Sequence, residues 1–484
     1  MRKTMRLPVY KKTVLALIAN CCWFIAGSQT QSDSLFKYLE IAAKNNPTVL
    51  QRFDEYRAAL QKVPQVGSLP DPQLSVGVFL QPMELMAGYQ DANITLMQMF
   101  PWFGVLKLAK DEMSLMAKAK FETFRDAKLQ VYYDVQRTWF ELHKVKQNIK
   151  VSEKNIEILR TIERLAIVKY KSVPTGNRTS VNNNTSTMAT NNNANSGSSG
   201  MSNMGGNSGN NSGTVTNQAS SPMSGNSMGS ISTGSGLSDV YRIQIEIGEL
   251  QNNIQLLKNQ WSSISARFNS YLNRPHHAVV TIGDTLIADD FSQALLTLSD
   301  SSLMNNPMLG MLQYEQQSLE ARKKMVNKMG FPMIGLGVNY MLISKSGMST
   351  SPMNGNDMIM PMVTATLPIY RKKYRAMNDE AELLKSATGQ NYQATANALQ
   401  SEYYQATQLY MDANRRRVLY ADQFQLASKS LNIMLKSYAA SGSDLTDILR
   451  VQQQTLDYEY KQTEAIADTN TAIAWLNRLM ALTQ

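Results

Sequence analysis

The sequence predicts an α+β membrane protein in which very long helices of the coiled-coil type follow pairs of short strands. Three observations support this fold class. The stretch from Val105 to Val173 contains no glycine and no proline, and at about 1.5 Å per residue it would form a helix roughly 100 Å long. Four short segments alternate apolar with small or polar residues, as half-buried strands do. The same order of elements occurs twice along the chain.

Both long helices carry apolar residues at intervals of seven. The first, predicted over 102–173, has the series Val135, Leu142, Ile149 and Ile156. The second, predicted over 369–440, has Tyr403, Tyr410, Phe424, Leu431 and Tyr438, with Arg417 as its polar interruption. A period of seven gives a narrow seam, which favours antiparallel helices packed side by side as a coiled coil over a broad face on a globular core.

Residues 1–28 have the composition of a secretory signal peptide. Five basic residues precede an apolar run, Thr13 to Ile25, which is followed by Ala26-Gly27-Ser28. The run is too short to span a membrane as a helix. The chain has a formal net charge of +10, so loss of these five charges leaves a mature chain near +5. That balance, with no basic patch among aromatic residues, predicts no nucleic-acid partner.

The two cysteines, Cys21 and Cys22, both fall in this segment. Cleavage after Ser28 would leave a mature chain with no thiol, which excludes disulfides and cysteine metal sites. The alternative is lipidation of Cys21 or Cys22, for which Asn20 is a poor preceding residue.

The other elements fall into two repeats. The first repeat, 29–174, begins with a helical stretch from Ser34 to about Val66, followed by strands at about 73–80 and 91–100. A returning helix and a connector occupy 237–290. The second repeat, 291–484, has strands at about 333–342 and 358–367 and a returning helix over 445–482. The predicted strands are short for a membrane barrel, in which about 9–11 residues are usual.

Matching landmarks indicate a tandem duplication. The Asn-Pro pairs at 46–47 and 306–307 lie 260 residues apart, and strands end at Phe100-Pro101 and Leu367-Pro368. Leu237-Ser238-Asp239-Val240 matches Leu445-Thr446-Asp447-Ile448, and Tyr271-Leu272-Asn273-Arg274 matches Trp475-Leu476-Asn477-Arg478.

An insertion over 175–236 interrupts the first repeat at its turn. It consists almost entirely of Asn, Ser, Gly, Thr and Met, a composition that predicts disorder. Its methionines are Met188, Met201, Met204, Met223 and Met228. Thioether sulfur suits Cu(I), so they form either a tether for soft metal ions or an ordinary polar loop.

Four amphipathic strands cannot cover their own edges, and an open edge is not viable in lipid. A secreted chain with such strands and no spanning helix is therefore expected to close its sheet with copies of itself, in one barrel in the outer membrane. The helices would extend this barrel into the periplasm.

The doubled order of Asn-Pro, two strands, Pro and long helix resembles the TolC family of outer-membrane efflux channels. So does the pair of turn segments, which are Tyr170 with 237–240 and the run from Tyr438 to Leu449. The resemblance covers nearly the whole mature chain. It implies a homotrimer whose twelve strands form a β-barrel in outer-membrane lipid and whose twelve long helices form a periplasmic α-barrel. It also implies two protein partners, a periplasmic adaptor (membrane fusion protein) and an inner-membrane pump of the resistance–nodulation–division type.

Leu69-Pro70-Asp71-Pro72 before a strand is similar to the heavy-metal efflux branch of that family. The family also places the turn after each long helix at the periplasmic entrance of the channel. Asp447 then matches an aspartate in the pore, where three copies would form an anionic ring that attracts cations; the alternative is a helix cap. Asp239 is its counterpart in the first repeat.

Arg450 stands where the family has a second acid, which argues against a strongly anionic gate, because Asp447 and Arg450 can pair instead. Tyr438 matches a tyrosine that latches the closed state, or it simply packs in the seam; Tyr170 is its counterpart.

No pattern in the sequence indicates an enzyme or a cofactor. His143 lies on the long helix and His276-His277 in a connector, without partners at metal-ligand spacing. There is no Gly-rich phosphate loop, no Gly-x-Ser-x-Gly and no His-Glu-x-x-His. Two alternatives to an efflux channel remain: the outlet of a type I protein secretion system, and a secreted coiled-coil protein without a pore.

Overall fold

A computed structural model describes residues 32–85, 87–172, 235–283, 285–289, 291, 303–348, 350, 352–440 and 444–482. The predicted signal peptide with its cysteines therefore lies outside the described residues, as does the insertion up to residue 234. The chain divides into two compact units, Met1–Ile158 with Gly248–Gln484 and Leu159–Ile247.

The described helices and strands follow one another in the predicted order. In chain order they are α1 (Ser32–Asn45), α2 (Pro47–Gly67), β1 (Gln73–Leu85), β2 (Gly88–Phe100), α3 (Val105–Ser172), α4 (Ser235–Tyr271), α5 (Pro307–Met329), β3 (Met333–Ser344), β4 (Met358–Thr366), α6 (Arg371–Ala439) and α7 (Leu445–Leu479).

The first predicted helical stretch is two helices, divided at Asn46. The Asn46 side chain accepts hydrogen bonds from the backbone N–H groups of Thr48 (2.9 Å) and Val49 (3.3 Å). Pro47 follows as the first helical residue, where its missing N–H costs nothing. Asn306 and Pro307 begin α5 in the same way, with the Asn306 side chain accepting from Met308 N–H.

The long helices are shorter at their ends than predicted, for local backbone reasons. Helix α3 begins at Val105 instead of 102 because Gly104 adopts a φ of +89°, which is outside the helical region. Helix α6 begins at Arg371 instead of 369 because Tyr370 has a non-helical backbone (φ −82°, ψ 70°). Helix α7 ends at Leu479 instead of 482, close to Ala481 with a φ of +53°.

Helices α4 and α7 end in the same C-terminal motif. Asn273 and Ala481 both adopt a left-handed φ, +52° and +53°. The next N–H groups, of Arg274 and Leu482, bond to the carbonyls of Asn269 and Asn477, as in a Schellman motif. These ends match at a separation of 208 residues, the same as for Leu237 and Leu445. The predicted match of Tyr271 with Trp475 is therefore one helical turn out of register.

The four strands form one antiparallel sheet in the order β1-β2-β3-β4. They contain 13, 13, 12 and 9 residues. The first three are longer than predicted and the fourth is one residue shorter, but none is below the usual length of about 9–11 residues, so the expectation of strands too short for a membrane barrel was wrong. Strand β1 continues through Pro82, which a strand with a single neighbour tolerates because no ladder hydrogen bond is lost on its open side. The strands are long enough to cross a bilayer with tilt.

The predicted helix seams are largely buried, and Ile149 and Phe424 are half-buried. Val135 and Leu142 of α3 are fully buried, and Tyr403, Tyr410, Leu431 and Tyr438 of α6 are nearly so. In the first unit, one hydrophobic core joins α1, α2 and the middle of α3 to the end of α4, around Trp139 and Phe268. A second core of the same unit joins α6 to α7, around Tyr403 and Leu476. Among the described helices, none contains an apolar stretch long enough to cross a membrane.

Candidate functional site

The sheet presents two faces of different chemistry. Residues paired across neighbouring strands lie on the same face, and successive residues along a strand alternate between faces. The register therefore assigns each side chain of the sheet to one face.

The first face, called here the apolar face, carries aliphatic side chains on every strand. Its paired residues include Leu74, Val76, Val78, Ile94, Leu96, Ile334, Leu336, Val338, Ile359 and Val363. Many are well exposed: Leu74 at 66%, Leu96 at 52% and Val363 at 74%. A contiguous exposed apolar surface of this kind marks contact with another protein or with lipid.

The second face, called here the methionine face, carries small, polar and sulfur-containing residues. Between the register irregularities it includes Ser75, Gly77, Thr95, Gly335, Gly337, Asn339 and Thr364. All seven methionines of that paired register lie on it: Met97, Met99, Met333, Met341, Met358, Met360 and Met362. The alternation of the sequence predicts both faces, but the methionines of the second face were not singled out, although the same period of two places them there.

The two outer strands leave one edge each without a partner in the described chain. Strand β1 pairs with β2 alone and β4 with β3 alone. Their outer backbone N–H and C=O groups are thus available to another strand.

Helix α6 has a second apolar stripe next to its buried seam. Its exposed members are spaced by seven or eight residues: Tyr404, Met411, Val418, Leu426 and Ile433, between 54% and 68% exposed. Each follows a seam position by one or two residues. A heptad stripe of this kind fits a neighbouring helix.

The predicted entrance residues Asp447 and Arg450 are brought together. Arg450 donates a 2.9 Å hydrogen bond from its guanidinium to the Asp447 carboxylate, three residues earlier on α7. The N-cap position of α7 belongs to Asp444, so the prediction that Asp447 caps the helix was wrong. Asp447 lies in the first turn, where a negative charge stabilises the helix dipole.

The other predicted entrance residues differ in burial. Tyr438 is 3% exposed, in the last turn of α6, as the packing interpretation predicts. Tyr170, near the end of α3, is 52% exposed. Asp239 is half-buried in the first turns of α4. The tether methionines Met188, Met201, Met204, Met223 and Met228 lie outside the described residues.

The helix seams contain polar groups that the heptad pattern did not reveal. Gln452 of α7 donates a 3.0 Å hydrogen bond from Nε2 to Oδ1 of Asn155 on α3, and both side chains are almost fully buried. Asn155 donates in turn to the Val151 carbonyl. A buried amide pair in a seam fixes the register of the two helices, because any slip leaves these groups unpaired.

His143 is 2% exposed and packs against Trp139. Burial and the nearby Lys146 ammonium lower the pKa of His143 to about 4, so its imidazole is neutral at neutral pH. Within the described residues, no group of three His, Cys, Asp or Glu side chains is placed to hold a metal ion.

Comparison of the sequence with known proteins finds no matching family model and no matching curated protein. Solved structures nevertheless share the fold. VceC, an outer membrane protein of Vibrio cholerae, aligns with a TM-score of 0.65 at 11% identity, over 93% of this chain and 96% of that one.

Two further structures agree. The MtrE outer membrane channel of Neisseria gonorrhoeae, in its open state, has a TM-score of 0.65 at 12% identity, over 92% of this chain and 88% of that one. CusC, studied for transmembrane channel formation, has a TM-score of 0.65 at 11% identity, over 93% and 92%. These likenesses confirm, for the fold, the resemblance drawn from the sequence.

Proposed function

We propose that this chain is the outer-membrane channel of a tripartite efflux system. Three copies form one channel, which receives substrates from a periplasmic adaptor and an inner-membrane pump of the resistance–nodulation–division type and conducts them passively to the exterior. The observation that carries this proposal is the exposed apolar face of a four-stranded sheet in a chain with the fold of solved outer-membrane channels.

The apolar face suits lipid. An exposed aliphatic surface on all four strands is unfavourable in water, at about 25 cal/mol per Å² of apolar area. Acyl chains remove that cost. The opposite face combines seven methionines with Asn, Thr, Ser and Gly and, between the register irregularities, has no Leu, Val or Ile at its paired positions. It is the more polar of the two faces and is the one assigned to a water-filled interior, as in transmembrane barrels whose residues alternate outward and inward.

The open edges of β1 and β4 support a closed ring of several copies. In lipid no water is present to hydrogen-bond the unpaired backbone N–H and C=O groups of an open edge, so each outer strand needs a partner strand. An antiparallel pairing of β1 with β4 of the next copy continues the sheet. Three copies give twelve strands, the number implied by the resemblance to the TolC family.

The second stripe of α6 supports the same assembly. Tyr404, Met411, Val418, Leu426 and Ile433 are exposed in the single chain and would be covered by a helix of the neighbouring copy. Lipid contact at the strands and helix contact along α6 together favour a channel over a secreted coiled-coil protein without a pore, which has no use for the apolar face.

The entrance residues keep their proposed place at the periplasmic end. A ring of Asp447 side chains, one from each copy, would favour cations, and each Arg450 guanidinium would lower that preference by pairing with its Asp447. Tyr438 would stabilise the closed state of the entrance through its buried position in the last turn of α6. Asp239 and Tyr170, the counterparts of Asp447 and Tyr438 in the first repeat, would have the corresponding roles there.

Conductance in planar lipid bilayers tests this proposal. The full chain, purified from outer membranes in mild detergent, is expected to insert as a trimer that dissociates on heating and to open in discrete steps. The same sample after heat dissociation is the control and should not conduct. A chain that stays soluble without detergent, or that never conducts as an intact oligomer, would overturn the proposal.

A further inference from the structure

Between the register irregularities, methionine is separated from Leu, Val and Ile by face. All seven methionines of that part of the sheet lie on the methionine face, whereas its Leu, Val and Ile residues lie on the apolar face. Met and Leu have similar volumes and hydrophobicities, and cores accept one for the other at low cost. A requirement for apolar bulk alone would therefore not sort them by face. The thioether sulfur itself is the property that distinguishes the two sets.

Two of these sulfurs converge on one hydroxyl group. The Oγ1 atom of Thr364 on β4 lies 3.6 Å from Sδ of Met97 and 4.0 Å from Sδ of Met99, both on β2. Strand β3 runs between these strands, so the three side chains meet above its backbone.

Glycines on β3 make room for that meeting. A Cβ atom on Gly335 would lie 2.6 Å from the Met99 sulfur and 2.4 Å from the Thr364 hydroxyl oxygen, which is closer than atoms can approach. At Gly337, a Cβ would lie 2.9 Å from the Leu96 carbonyl oxygen and 3.5 Å from Cβ of Met97. Any other residue at Gly335 would displace the sulfur.

A third methionine and an asparagine occupy neighbouring positions of the same face. Gly337 pairs with Met97 on one side and with Met362 on the other, so the two methionines flank the same glycine. Asn339, the next residue of β3 on this face, is 7% exposed, and its Oδ1 has no hydrogen-bond partner among the described residues. Soft thioether ligands select Cu(I) among the common transition metals, and Ag(I) shares that preference.

We propose that Met97, Met99 and Met362 form a binding site for soft monovalent metal ions, Cu(I) or Ag(I), on the methionine face of the sheet. The position of this site on the channel wall rests on the proposed function, and the site names soft metal ions as a substrate class of that channel.

The alternative occupant of this surface is an organic substrate, for which flexible methionines would provide an adaptable lining. Pockets for organic ligands are lined by hydrophobic and aromatic side chains. The paired positions of the methionine face hold no aromatic residue. Thioether sulfur is a ligand that soft metal ions prefer, so the proximity of the Met97 and Met99 sulfurs to one point, the Thr364 hydroxyl, favours a metal ion over an organic substrate.

Titration of the purified full chain with silver nitrate, in chloride-free buffer with a competing thioether ligand, tests the site. The triple variant Met97→Leu/Met99→Leu/Met362→Leu should bind Ag(I) about tenfold more weakly, or lose one ion per chain. The matched control, Met308→Leu/Met325→Leu/Met411→Leu, changes three helical methionines and should bind as the unmodified chain does. Unchanged Ag(I) binding by the strand variant would overturn the site.

Further measurements separate loss of the metal site from misfolding, from binding of organic substrates and from failure of the proposed channel function. If the triple variant fails to form heat-dissociable oligomers, the single variant Met99→Leu takes its place, with a reduction of Ag(I) affinity as the expected result. Block of conductance by tetraphenylphosphonium, altered by the strand variant while Ag(I) binding is not, would assign the surface to organic substrates instead. Bilayer conductance of the same unmodified preparation separates the two proposals, because a conducting chain without this Ag(I) site contradicts the site alone.

Discussion

The side-chain amide of Asn306 donates a 2.9 Å hydrogen bond to the backbone carbonyl of Leu479, 173 residues later in the chain. Its own oxygen accepts from Met308 N–H, so a single buried side chain begins α5 and holds the end of α7. Asn46 does the same for α2 and α4, donating to the Tyr271 carbonyl at 2.8 Å. Each Asn-Pro pair is thus a junction between the start of one helix and the end of another.

Substitutions of Asn306 distinguish its two contributions to stability, the cap of α5 and the hydrogen bond to the end of α7. Asp is as good a cap as Asn, but it cannot donate to the Leu479 carbonyl and would face it with a negative charge. We expect both Asn306→Asp and Asn306→Ala to lower the free energy of unfolding by about 1–3 kcal/mol, as measured by thermal melts in detergent. Asp444→Ala is the control, because Asp444 makes no capping bond with its side chain. Wild-type stability in Asn306→Asp would show that capping alone matters.

Adjacent residues of β2 test the assignment of the two sheet faces. Leu96 lies on the apolar face and Thr95 on the methionine face. Leu96→Lys should strongly reduce the amount of oligomer in the outer membrane, since a lysine facing lipid costs about 2–4 kcal/mol near the bilayer centre. Thr95→Lys places the same charge on the other face and should assemble normally. Equal behaviour of the two variants, read from heat-modifiable bands in membrane fractions, would contradict the assignment.

The pair of Asp447 and Arg450 predicts opposite effects on ion selectivity. Arg450→Ala should increase the preference of the channel for cations because it frees the Asp447 carboxylate, whereas Asp447→Asn should decrease it. Stability should change by less than about 1 kcal/mol in either variant, as for exposed ion pairs. Reversal potentials in a salt gradient provide the measurement. Asp457→Asn breaks another exposed pair on α7, with Lys461, and should leave selectivity unchanged if the entrance lies at residue 447.

His143 predicts a pH dependence of stability. Its pKa is about 4 in the folded chain and about 6.5 when exposed, so the unfolded state takes up a proton first as the pH falls. The stability that depends on neutral His143 is complete above pH 6.5 and is lost between pH 6.5 and 4, up to about 3 kcal/mol. His143→Leu should flatten this part of the profile, measured by denaturant unfolding. The exposed His276→Gln variant should keep the original slope, and an unchanged slope in His143→Leu would contradict the expectation.

The sequence predicted the element order and the seams because both depend on local periods. Val135, Leu142, Tyr403 and Leu431 are buried at the predicted interval of seven. Helix ends were less accurate, since they depend on single backbone conformations such as those of Gly104 and Ala481. The spacing of apolar residues along the sequence carries no information about the backbone conformation of a single residue.

Contacts between distant segments could not be read from the sequence. The hydrogen bond between Gln452 and Asn155 joins residues 297 apart, and neither residue belongs to the predicted heptad series of the long helices. The meeting of Met97, Met99 and Thr364 depends on the pairing of β2, β3 and β4. The pair of Asp447 and Arg450 was foreseen because its members lie one helical turn apart.

Cysteine cross-linking across the two open edges tests the central proposal most directly, that copies of the chain join β1 to β4. Ser75→Cys would be combined in turn with Met360→Cys, Met362→Cys and Thr364→Cys, all on the methionine face. Leu74→Cys on the opposite face is the control. Oxidised outer membranes are expected to give covalent dimers and closed trimers, and nothing larger, for at least one Ser75 combination. Monomers alone in every combination, or a ladder beyond three copies, would contradict the proposal.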